Sequence, residues 1–223
     1  MKNNSLNLRD DLSRVSKEFP ELELFLSNGN PYKLEGPLEI FDNEGNKRGF
    51  YEIQIVFDYL RYPHLFPTLK EISNKIPKIK DRHIYENTGT CCVTVLQKQA
   101  IEANKGISIY DYIKRYAVPY FANQIYFEEI GKWANGDYYH GDLGQIQYYV
   151  ETFKTTDLAI ICHGINMAVE KRLIGRNAPC FCGSTTKFKR CHQSAIEEIG
   201  LIGESQMRSD INKIIKLRNA IEK

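Results

Sequence analysis

The sequence predicts an α+β fold in which an antiparallel β-meander is flanked by helices and followed by a cysteine-rich C-terminal segment and a further helix. Three observations predict it: a period-two alternation of apolar residues between 38 and 59, helical periodicities on both sides of it, and clustered cysteines near the C-terminus. Period-two alternation is typical of half-buried antiparallel strands. Apolar residues three and four apart line one face of a helix.

The first half of the chain contains the predicted first helix and the meander. The helix is indicated by apolar residues at intervals of four, three and four, namely Leu8, Leu12, Val15 and Phe19. Pro20 marks its end, because proline cannot continue a helix. Two strands are predicted around a turn at 42–46, with apolar positions at Leu38, Ile40, Tyr51, Ile53, Ile55, Phe57 and Tyr59. A short further strand is predicted at 70–72.

The second half is predicted to be mainly helical. Residues 73–90 are polar without clear periodicity, and a loop of that length inside a domain is often functional or mobile. Ser108 is a candidate cap for a helix whose tyrosines, at positions 112, 116 and 120, are expected to pack on the sheet. One helical stretch is predicted over 145–175, with Cys162 as a small buried residue. A charged C-terminal helix is marked by Ile211, Ile214, Ile215 and Ile221.

Composition and charge exclude several classes of protein. The 223 residues are 42% hydrophobic and 26% charged, close to an ordinary globular chain, which excludes disordered and fibrous classes. Thirty basic and twenty-eight acidic residues give a net charge of +2, so the chain as a whole has no field that would attract nucleic acid. Neither a membrane-length apolar run nor the apolar core of a secretory signal is present, and we expect a cytoplasmic protein without a membrane partner.

Six cysteines are unevenly distributed. Cys91 and Cys92 are adjacent, Cys162 stands alone, and the last three lie within twelve residues of one another, at Cys180, Cys182 and Cys191. A disulfide framework is expected in an oxidising compartment, which does not fit a cytoplasmic chain. The clustering therefore favours a metal site or a reactive thiol.

The C-terminal cysteines have the character of a metal site. Cys180-x-Cys182 is followed after eight residues by Cys191-His192, which together offer three sulfur ligands and one nitrogen ligand. Zn²⁺ prefers such a tetrahedral set, and a closed Cys₃His site leaves no open position for catalysis. Because so short a segment cannot form its own apolar core, a structural Zn²⁺ would stabilise its fold.

The surrounding residues resemble the SEC-C motif, a small zinc-binding module. The matching positions are Arg176, Asn177, Pro179, Cys180, Cys182, Gly183, Ser184, Lys187, Phe188, Lys189, Cys191 and His192. Phe181 and the pair 185–186 depart from frequent residues of the motif without changing a ligand. We therefore predict three segments: a main domain at 1–174, the zinc motif at 175–193 and a helical tail at 194–223.

Basic residues without an intervening acid surround the motif. They are Lys171, Arg172, Arg176, Lys187, Lys189 and Arg190. The alternatives are a surface for a partner or for nucleic acid and an ordinary solvated rim. The solvated rim is the preferred interpretation, and nucleic acid is not expected as a partner.

Residues 36–96 resemble the catalytic core of ubiquitin-conjugating enzymes. The resemblance lies in Gly36-Pro37, in Gly49-Phe50 and the strand after it, in the proline-broken crossing Tyr62-Pro63-His64-Leu65-Phe66-Pro67, and in Gly89-Thr90-Cys91-Cys92-Val93-Thr94-Val95-Leu96. It implies a ubiquitin-conjugating-type fold for the meander and its helices. In this register Cys92 is the thioester cysteine and Cys91 a packing residue.

The sequence departs from eukaryotic members of that family near His83. The family's His-Pro-Asn motif is replaced by His83-Ile84-Tyr85, so the asparagine that supports the oxyanion is missing. The downstream segment, from Tyr120 through Trp133 to Gly141, resembles a bacterial branch of the family that often occurs in antiphage-defence operons, including CBASS operons.

The resemblance implies a transferase that accepts a protein C-terminus as a thioester on Cys92 and passes it to an amine of a target. The implied partners are an adenylate-forming activating enzyme and a donor protein with an exposed C-terminus, either a ubiquitin-like protein or a CBASS nucleotidyltransferase. His83 and His140 are candidates for supporting Cys92, and Tyr85 or Asn87 for donating toward the oxyanion. The alternative is a non-catalytic scaffold of the same fold whose zinc tail docks a partner protein or nucleic acid.

Overall fold

The computed structural model describes residues 7–134, 139–172 and 174–221 of an α+β chain. The strands are β1 (Glu23–Ser27), β2 (Asn30–Phe41), β3 (Lys47–Val56) and β4 (Thr68–Glu71). The α-helices are α1 (Leu8–Glu18), α2 (Leu96–Lys105), α3 (Ile109–Tyr112), α4 (Val118–Ile130), α5 (Gly141–Phe153), α6 (Leu158–Val169), α7 (Gln193–Ile199) and α8 (Glu204–Ile221). Within the described ranges, no helix has the length and apolar character needed to cross a bilayer.

The chain forms two compact units whose bounds differ from the predicted segments. The first unit comprises residues 1–94 and 105–137, and the second comprises 95–104 and 138–223. Helices α5 and α6 lie before residue 175, yet they share one hydrophobic core with the cysteine cluster and with α8. The C-terminal cysteines are therefore part of a larger helical unit that includes helices on both sides of residue 174.

The first unit contains a four-stranded antiparallel sheet in the order β1-β2-β3-β4, which confirms the predicted meander. Strand β2 begins at Asn30, upstream of the predicted start, and pairs with a strand β1 that was not predicted. The turn between them holds Asn28 and Gly29, both with positive φ. Asn-Gly is the residue pair that two-residue hairpin turns prefer, so the signal for β1 was present in the sequence.

Helices pack on one face of this sheet to form the first core. The sheet contributes side chains that are at most 1% exposed, including Leu38, Ile40, Ile53 and Ile55. Val15 of α1 and Phe121 of α4 close the core, with the Phe121 ring stacked on Tyr51 at a centroid distance of 4.6 Å. As predicted, the Ser108 side chain caps α3 by accepting from the Asp111 N–H at 2.9 Å. The core holds the sheet in place, and the backbone of Cys91 hydrogen bonds to strand β4 of that sheet.

Gly36 is required where β2 passes close to the chain between α1 and β1. Its φ of +147° is in a region that L-residues avoid, and a Cβ added there would lie 2.1 Å from the Glu21 carbonyl oxygen. We expect Gly36→Ala to reduce the free energy of unfolding of the first unit by about 3 kcal/mol or more, because backbone cannot move aside cheaply. Urea unfolding followed by fluorescence of Trp133, the chain's single tryptophan, measures this.

Gly29→Ala is the matched control for this substitution. Gly29 also has a positive φ, +78°, but no atom lies within 4 Å of an added Cβ. Its expected cost is therefore the backbone strain alone, about 1 kcal/mol. Equal costs for the two variants would show that the close approach at Gly36 is unimportant.

The single helix predicted over 145–175 is in fact two helices, α5 and α6. Lys154 ends α5 in the left-handed conformation. The Asp157 side chain then begins α6 by accepting from the N–H groups of Ala159 at 2.9 Å and Ile160 at 3.2 Å. Thr155 and Thr156 lie between them, and short polar side chains of this kind favour caps and turns over helix interiors. Because the apolar periodicity resumes after the break, periodicity alone predicts one continuous helix, whereas the Asp157 cap begins a second one.

The second unit has its own core, and this core contains the buried carboxylate of Asp210. Asp210 of α8 is 2% exposed and accepts hydrogen bonds from Gln97 Nε2 at 2.8 Å, the Tyr149 hydroxyl at 2.8 Å and Gln206 Nε2 at 2.7 Å. A buried carboxylate is tolerated when its oxygens are hydrogen bonded in this way. These bonds connect α2 and α5 to α8, which is why α2 belongs to the second unit.

Candidate functional site

The three C-terminal cysteines and His192 converge on one point in the second unit. Their Sγ and Nδ1 atoms all lie within 4.8 Å of one another. His192 Nδ1 is 3.3 Å from both Cys180 Sγ and Cys191 Sγ, and Cys182 Sγ is 3.7 Å from Cys191 Sγ. The structure thus brings together the four residues that the spacing predicted as ligands.

The backbone around the cluster explains this convergence. An antiparallel bridge joins Pro179 to Lys187, and the Cys180 N–H donates to the Thr186 carbonyl at 3.0 Å. Inside this loop Gly183 has a φ of +81°, and its N–H donates to the Cys180 carbonyl at 3.2 Å. The tight turn directs Cys180 and Cys182 toward the same side. A 3-10 turn at Phe188–Arg190 then places Cys191 and His192 next to them.

His192 is oriented by a contact outside the cluster. Its Nε2 lies 2.8 Å from the Phe153 carbonyl oxygen at the end of α5. Because a carbonyl can only accept, Nε2 carries the proton and Nδ1 keeps its lone pair facing the three sulfurs. Metal-binding histidines are typically oriented by such a bond from the other ring nitrogen.

Aromatic packing joins the cysteine segment to α5 and α6. Phe181 stacks parallel to the His163 ring at a centroid distance of 5.2 Å and also contacts His192. A Cβ added at Gly164 would lie 2.3 Å from the Phe153 ring and 3.2 Å from Phe181, so glycine is needed for this close packing. The cysteine segment is therefore packed into the helical unit.

The donor set is compatible with a zinc site. Ligand sulfurs around a tetrahedral Zn²⁺ with bonds of about 2.3 Å are separated by roughly 3.8 Å, close to the 3.7 Å between Cys182 Sγ and Cys191 Sγ. Cys180 is 4% exposed and His192 is 9% exposed. Burial acts to raise the pKa of Cys182, but hydrogen bonds with Ser184, Cys180 and Cys191 together outweigh it and lower this pKa to about 6. The pKa of Cys191 is instead raised, to about 11, by burial and by the neighbouring cysteines. A thiol that ionises readily suits a metal ligand, since the thiolate is the binding form.

The basic residues around the motif lie at the surface. Arg172 pairs with Glu170 at 3.2 Å, and the remaining five are exposed: Lys171, Arg176, Lys187, Lys189 and Arg190. Both a solvated rim and a docking surface have this arrangement, so the two interpretations remain predictions.

The adjacent cysteines of the first unit have different environments. Cys91 is 5% exposed, forms an isolated bridge with Ile84, and donates its N–H to the Leu69 carbonyl of β4 at 2.8 Å. Burial raises the pKa of the Cys91 thiol to about 12. Cys92 is partly exposed, and its N–H donates to the His83 carbonyl at 2.7 Å. Of the two, Cys92 is the thiol that an external reactant can approach.

The hydroxyl of Tyr85 contacts the Cys92 sulfur. It donates to Cys92 Sγ at 3.7 Å, and the Thr94 carbonyl lies 4.0 Å from the same sulfur. Burial raises the pKa of Cys92, and the Tyr85 hydrogen bond partly opposes this by stabilising the thiolate. The sequence predicts Tyr85 as one of two candidate donors. The other candidate, Asn87, lies exposed in the following loop.

His83 is held mainly through its backbone and by an aromatic contact. It adopts the left-handed conformation with a φ of +53°, and its ring packs edge-on against Trp133 at a centroid distance of 5.1 Å. Its carbonyl accepts from the Cys92 N–H and from the Tyr120 hydroxyl, the latter at 3.3 Å. The structure thus relates His83 to Cys92 through the backbone carbonyl, and a catalytic role for its ring remains a prediction.

Two residues that sequence reasoning did not assign to the site hold the His83 segment in place. Gln124 of α4 donates from Nε2 to the Arg82 carbonyl at 2.9 Å and accepts from Arg82 Nε at 2.9 Å. The Tyr120 hydroxyl donates to the same carbonyl at 3.0 Å. No sequence pattern links residues about forty positions apart, so these contacts could be found only in the structure.

His140 lies in the second unit and immediately precedes α5 as its N-cap residue. It is partly buried, and its predicted support of Cys92 remains a prediction. Residues 135–138 fall outside the described part of the chain. They include Gly136, Asp137 and Tyr138 of the segment that resembles the bacterial branch.

Comparison with known proteins identifies the C-terminal module. The family described as SEC-C motif matches residues 176–194, which include all four residues of the cluster. No curated protein matches the chain. No solved structure matches it. The match therefore covers a small part of the chain and, with the Cys/His cluster, fits a zinc-binding C-terminal motif.

Proposed function

We propose that the chain is a ubiquitin-conjugating-like acyl transferase with Cys92 as its nucleophile. The observation that carries the proposal is a partly exposed thiol that directly follows a buried, sheet-anchored cysteine and accepts a hydrogen bond from Tyr85. The antiparallel meander before it and the resemblance over residues 36–96 support the same fold and the same cysteine. Cysteine is suited to this role because its thiolate is strongly nucleophilic.

The proposed reaction has two acyl transfers. The Cys92 thiolate attacks the thioester carbonyl of the donor's C-terminus on the activating enzyme, and the activating enzyme's own thiolate leaves. An amine of the target then attacks the new thioester, Cys92 leaves as a thiolate, and the ammonium proton passes to solvent. Atoms and charge balance in both steps, and no redox reagent is needed.

The partners follow from this chemistry. An adenylate-forming activating enzyme supplies the donor, which is a ubiquitin-like protein or a CBASS nucleotidyltransferase with an exposed C-terminus. We propose that the reaction takes place in the cytoplasm and serves bacterial antiphage defence, on the basis of the resemblance to the bacterial branch.

We also propose that the Cys180, Cys182, Cys191 and His192 cluster holds one structural Zn²⁺. The convergence of its donor atoms and the Phe153 contact of His192 support this. A closed set of four protein ligands stabilises local structure and leaves no position for a reactant.

A protein thioester tests the transferase proposal without the activating enzyme. The full chain is mixed with ubiquitin carrying a C-terminal mercaptoethanesulfonate thioester, and the products are separated on non-reducing gels. We expect an adduct of the two proteins that disappears with dithiothreitol. Absence of a thiol-sensitive adduct would contradict the proposal.

A second candidate function is a non-catalytic scaffold of the same fold. The observation that favours it is the burial around Cys92, which raises the pKa of the thiol and disfavours its nucleophilic form. In that case the zinc module would dock a partner protein or nucleic acid. A Cys92→Ala variant that keeps full biological activity would support the scaffold and exclude the transferase.

A further inference from the structure

Tyr85 stands out because a half-exposed side chain directs its polar atom at a nucleophile. The residue is 50% exposed, yet its hydroxyl lies 3.7 Å from Cys92 Sγ. A tyrosine with this much exposed surface could direct its hydroxyl to water instead. The contact with Cys92 therefore calls for an explanation beyond burial.

The backbone fixes this contact. The Tyr85 N–H donates to the Thr90 carbonyl at 2.9 Å, and the Tyr85 carbonyl accepts from Thr88 at 3.2 Å and from Gly89 at 2.8 Å. Gly89 has a φ of +67°, which permits this tight turn. The bridge from Ile84 to Cys91 then aligns the two sides of the loop. Tyr85 and the cysteine pair thus lie on opposite sides of one hydrogen-bonded hairpin, which limits their relative movement.

The hydroxyl is a donor at physiological pH. Burial and the neighbouring Cys92 raise the pKa of Tyr85 to about 12, so the phenol stays protonated. A protonated phenol can donate a hydrogen bond to developing negative charge, whereas it cannot accept the proton of an attacking amine as an effective base.

We infer that the Tyr85 hydroxyl is the oxyanion donor for acyl transfer at Cys92, an inference that rests on the proposed transferase function. When an amine adds to the Cys92 thioester, its nitrogen bonds to the acyl carbon and the carbonyl electron pair moves to oxygen. That oxygen is two bonds from Sγ, within reach of a hydroxyl that already contacts the sulfur. The nitrogen then loses its proton to solvent, the oxygen electron pair re-forms the carbonyl, the C–S bond breaks, and Cys92 leaves as a thiolate.

If Tyr85 donates to the oxyanion, its removal should have kinetic effects that are not expected if it donates only to the Cys92 sulfur. Before loading, the hydroxyl can only stabilise the Cys92 thiolate, and its removal would raise the pKa for alkylation of Cys92. After loading, the sulfur is acylated and has no proton to lose. The rate at which an amine attacks the loaded protein therefore reports the oxyanion contact separately from ionisation of the free thiol.

The test uses the full chain loaded with a peptide ending in Gly-Gly, supplied as its mercaptoethanesulfonate thioester. Excess thioester is removed, free lysine is added, and loss of the Cys92 adduct is followed by intact mass. We expect Tyr85→Phe to slow this aminolysis by about 100-fold, the usual effect of losing one oxyanion donor. Tyr126→Phe is the matched control, because Tyr126 is 41% exposed in the same unit, and its rate should equal that of the wild type.

Three further measurements are needed to interpret the aminolysis rate of Tyr85→Phe. Far-UV circular dichroism and Trp133 fluorescence establish that Tyr85→Phe is folded. Iodoacetamide alkylation against pH gives the effect on the free thiol. If Tyr85→Phe shifts the alkylation profile but its aminolysis rate stays within twofold of the wild type, Tyr85 acts on the thiol only and the inference is overturned. A wild-type chain that takes no acyl group overturns the proposed function, and with it this inference, at the loading step.

Discussion

Removal of the proposed Zn²⁺ is expected to unfold the segment between Arg176 and His192 and to destabilise the helices that pack on it. Structural Zn²⁺ contributes apparent folding free energies of about 10–16 kcal/mol in small metal-folded modules. That exceeds what the short segment can obtain from its own apolar residues, of which Phe188 is the most buried. Without the metal, the close approach of the cysteines opposes their joint ionisation, and the pKa of Cys191 is raised to about 11.

The loss of stability should extend to α5 through the contact between His192 and the Phe153 carbonyl. His192 Nε2 bonds to the Phe153 carbonyl at the end of α5, and Phe181 packs against His163 of α6. When His192 is no longer held by a metal, both contacts are lost together. We therefore expect a loss of several kcal/mol in the free energy of unfolding of the second unit, beyond the melting of the segment itself.

Metal analysis and thermal unfolding test this prediction. Protein purified without chelator should contain one zinc per chain, and His192→Ala should contain far less. His163→Ala is the matched control, because it removes a ring that contacts Phe181 without removing a ligand.

Adding a chelator should lower the far-UV melting temperature of the wild type and leave Trp133 fluorescence, which reports the first unit, nearly unchanged. Well under one zinc per chain in the wild type would contradict the zinc assignment.

Replacement of Cys92 is expected to abolish acyl transfer, because no other group in the proposed reaction can carry the acyl chain. Cys92→Ala should reduce thioester formation with the peptide thioester by at least about 1,000-fold, to the background of an unreactive protein. Cys92 is partly exposed, so the substitution should cost little stability.

Cys91→Ala separates the nucleophile from its neighbour. Cys91 is 5% exposed and burial raises its pKa to about 12, so it is protonated and inaccessible at neutral pH. We expect this variant to keep its capacity for thioester formation and to lose about 1 kcal/mol of unfolding free energy from the small cavity. A loss of transfer in folded Cys91→Ala, with transfer retained in Cys92→Ala, would reverse the assignment.

Local patterns predicted the elements and ligands that depend on neighbouring residues. The meander, the Ser108 cap and the convergence of Cys180, Cys182, Cys191 and His192 follow from short-range spacing, and the structure contains all three. Strand β1 and the break between α5 and α6 also had local signals, in Asn28-Gly29 and in Asp157. The apolar periodicity of the neighbouring residues is stronger than these signals, and by itself it predicts neither β1 nor the break.

Contacts between distant parts of the chain could not be read from spacing. The Phe153 carbonyl lies 39 residues before His192, and Gln124 lies 42 residues after Arg82. Both contacts depend on how helices pack, which a periodicity does not specify. From the sequence, Tyr85 and Asn87 are equal candidates for the oxyanion donor. The choice depends on which of the two side chains the hairpin directs toward Cys92, and the structure shows that it is Tyr85.

The proposed function requires Cys92 to form a thioester with an acyl donor. The most direct measurement is peptide mapping by mass spectrometry after brief incubation of the full chain with the Gly-Gly peptide thioester under non-reducing conditions. The proposed function predicts one acyl group per chain on Cys92, released by dithiothreitol and transferred to added lysine. An unmodified Cys92, or acylation spread evenly over the accessible cysteines, would contradict it.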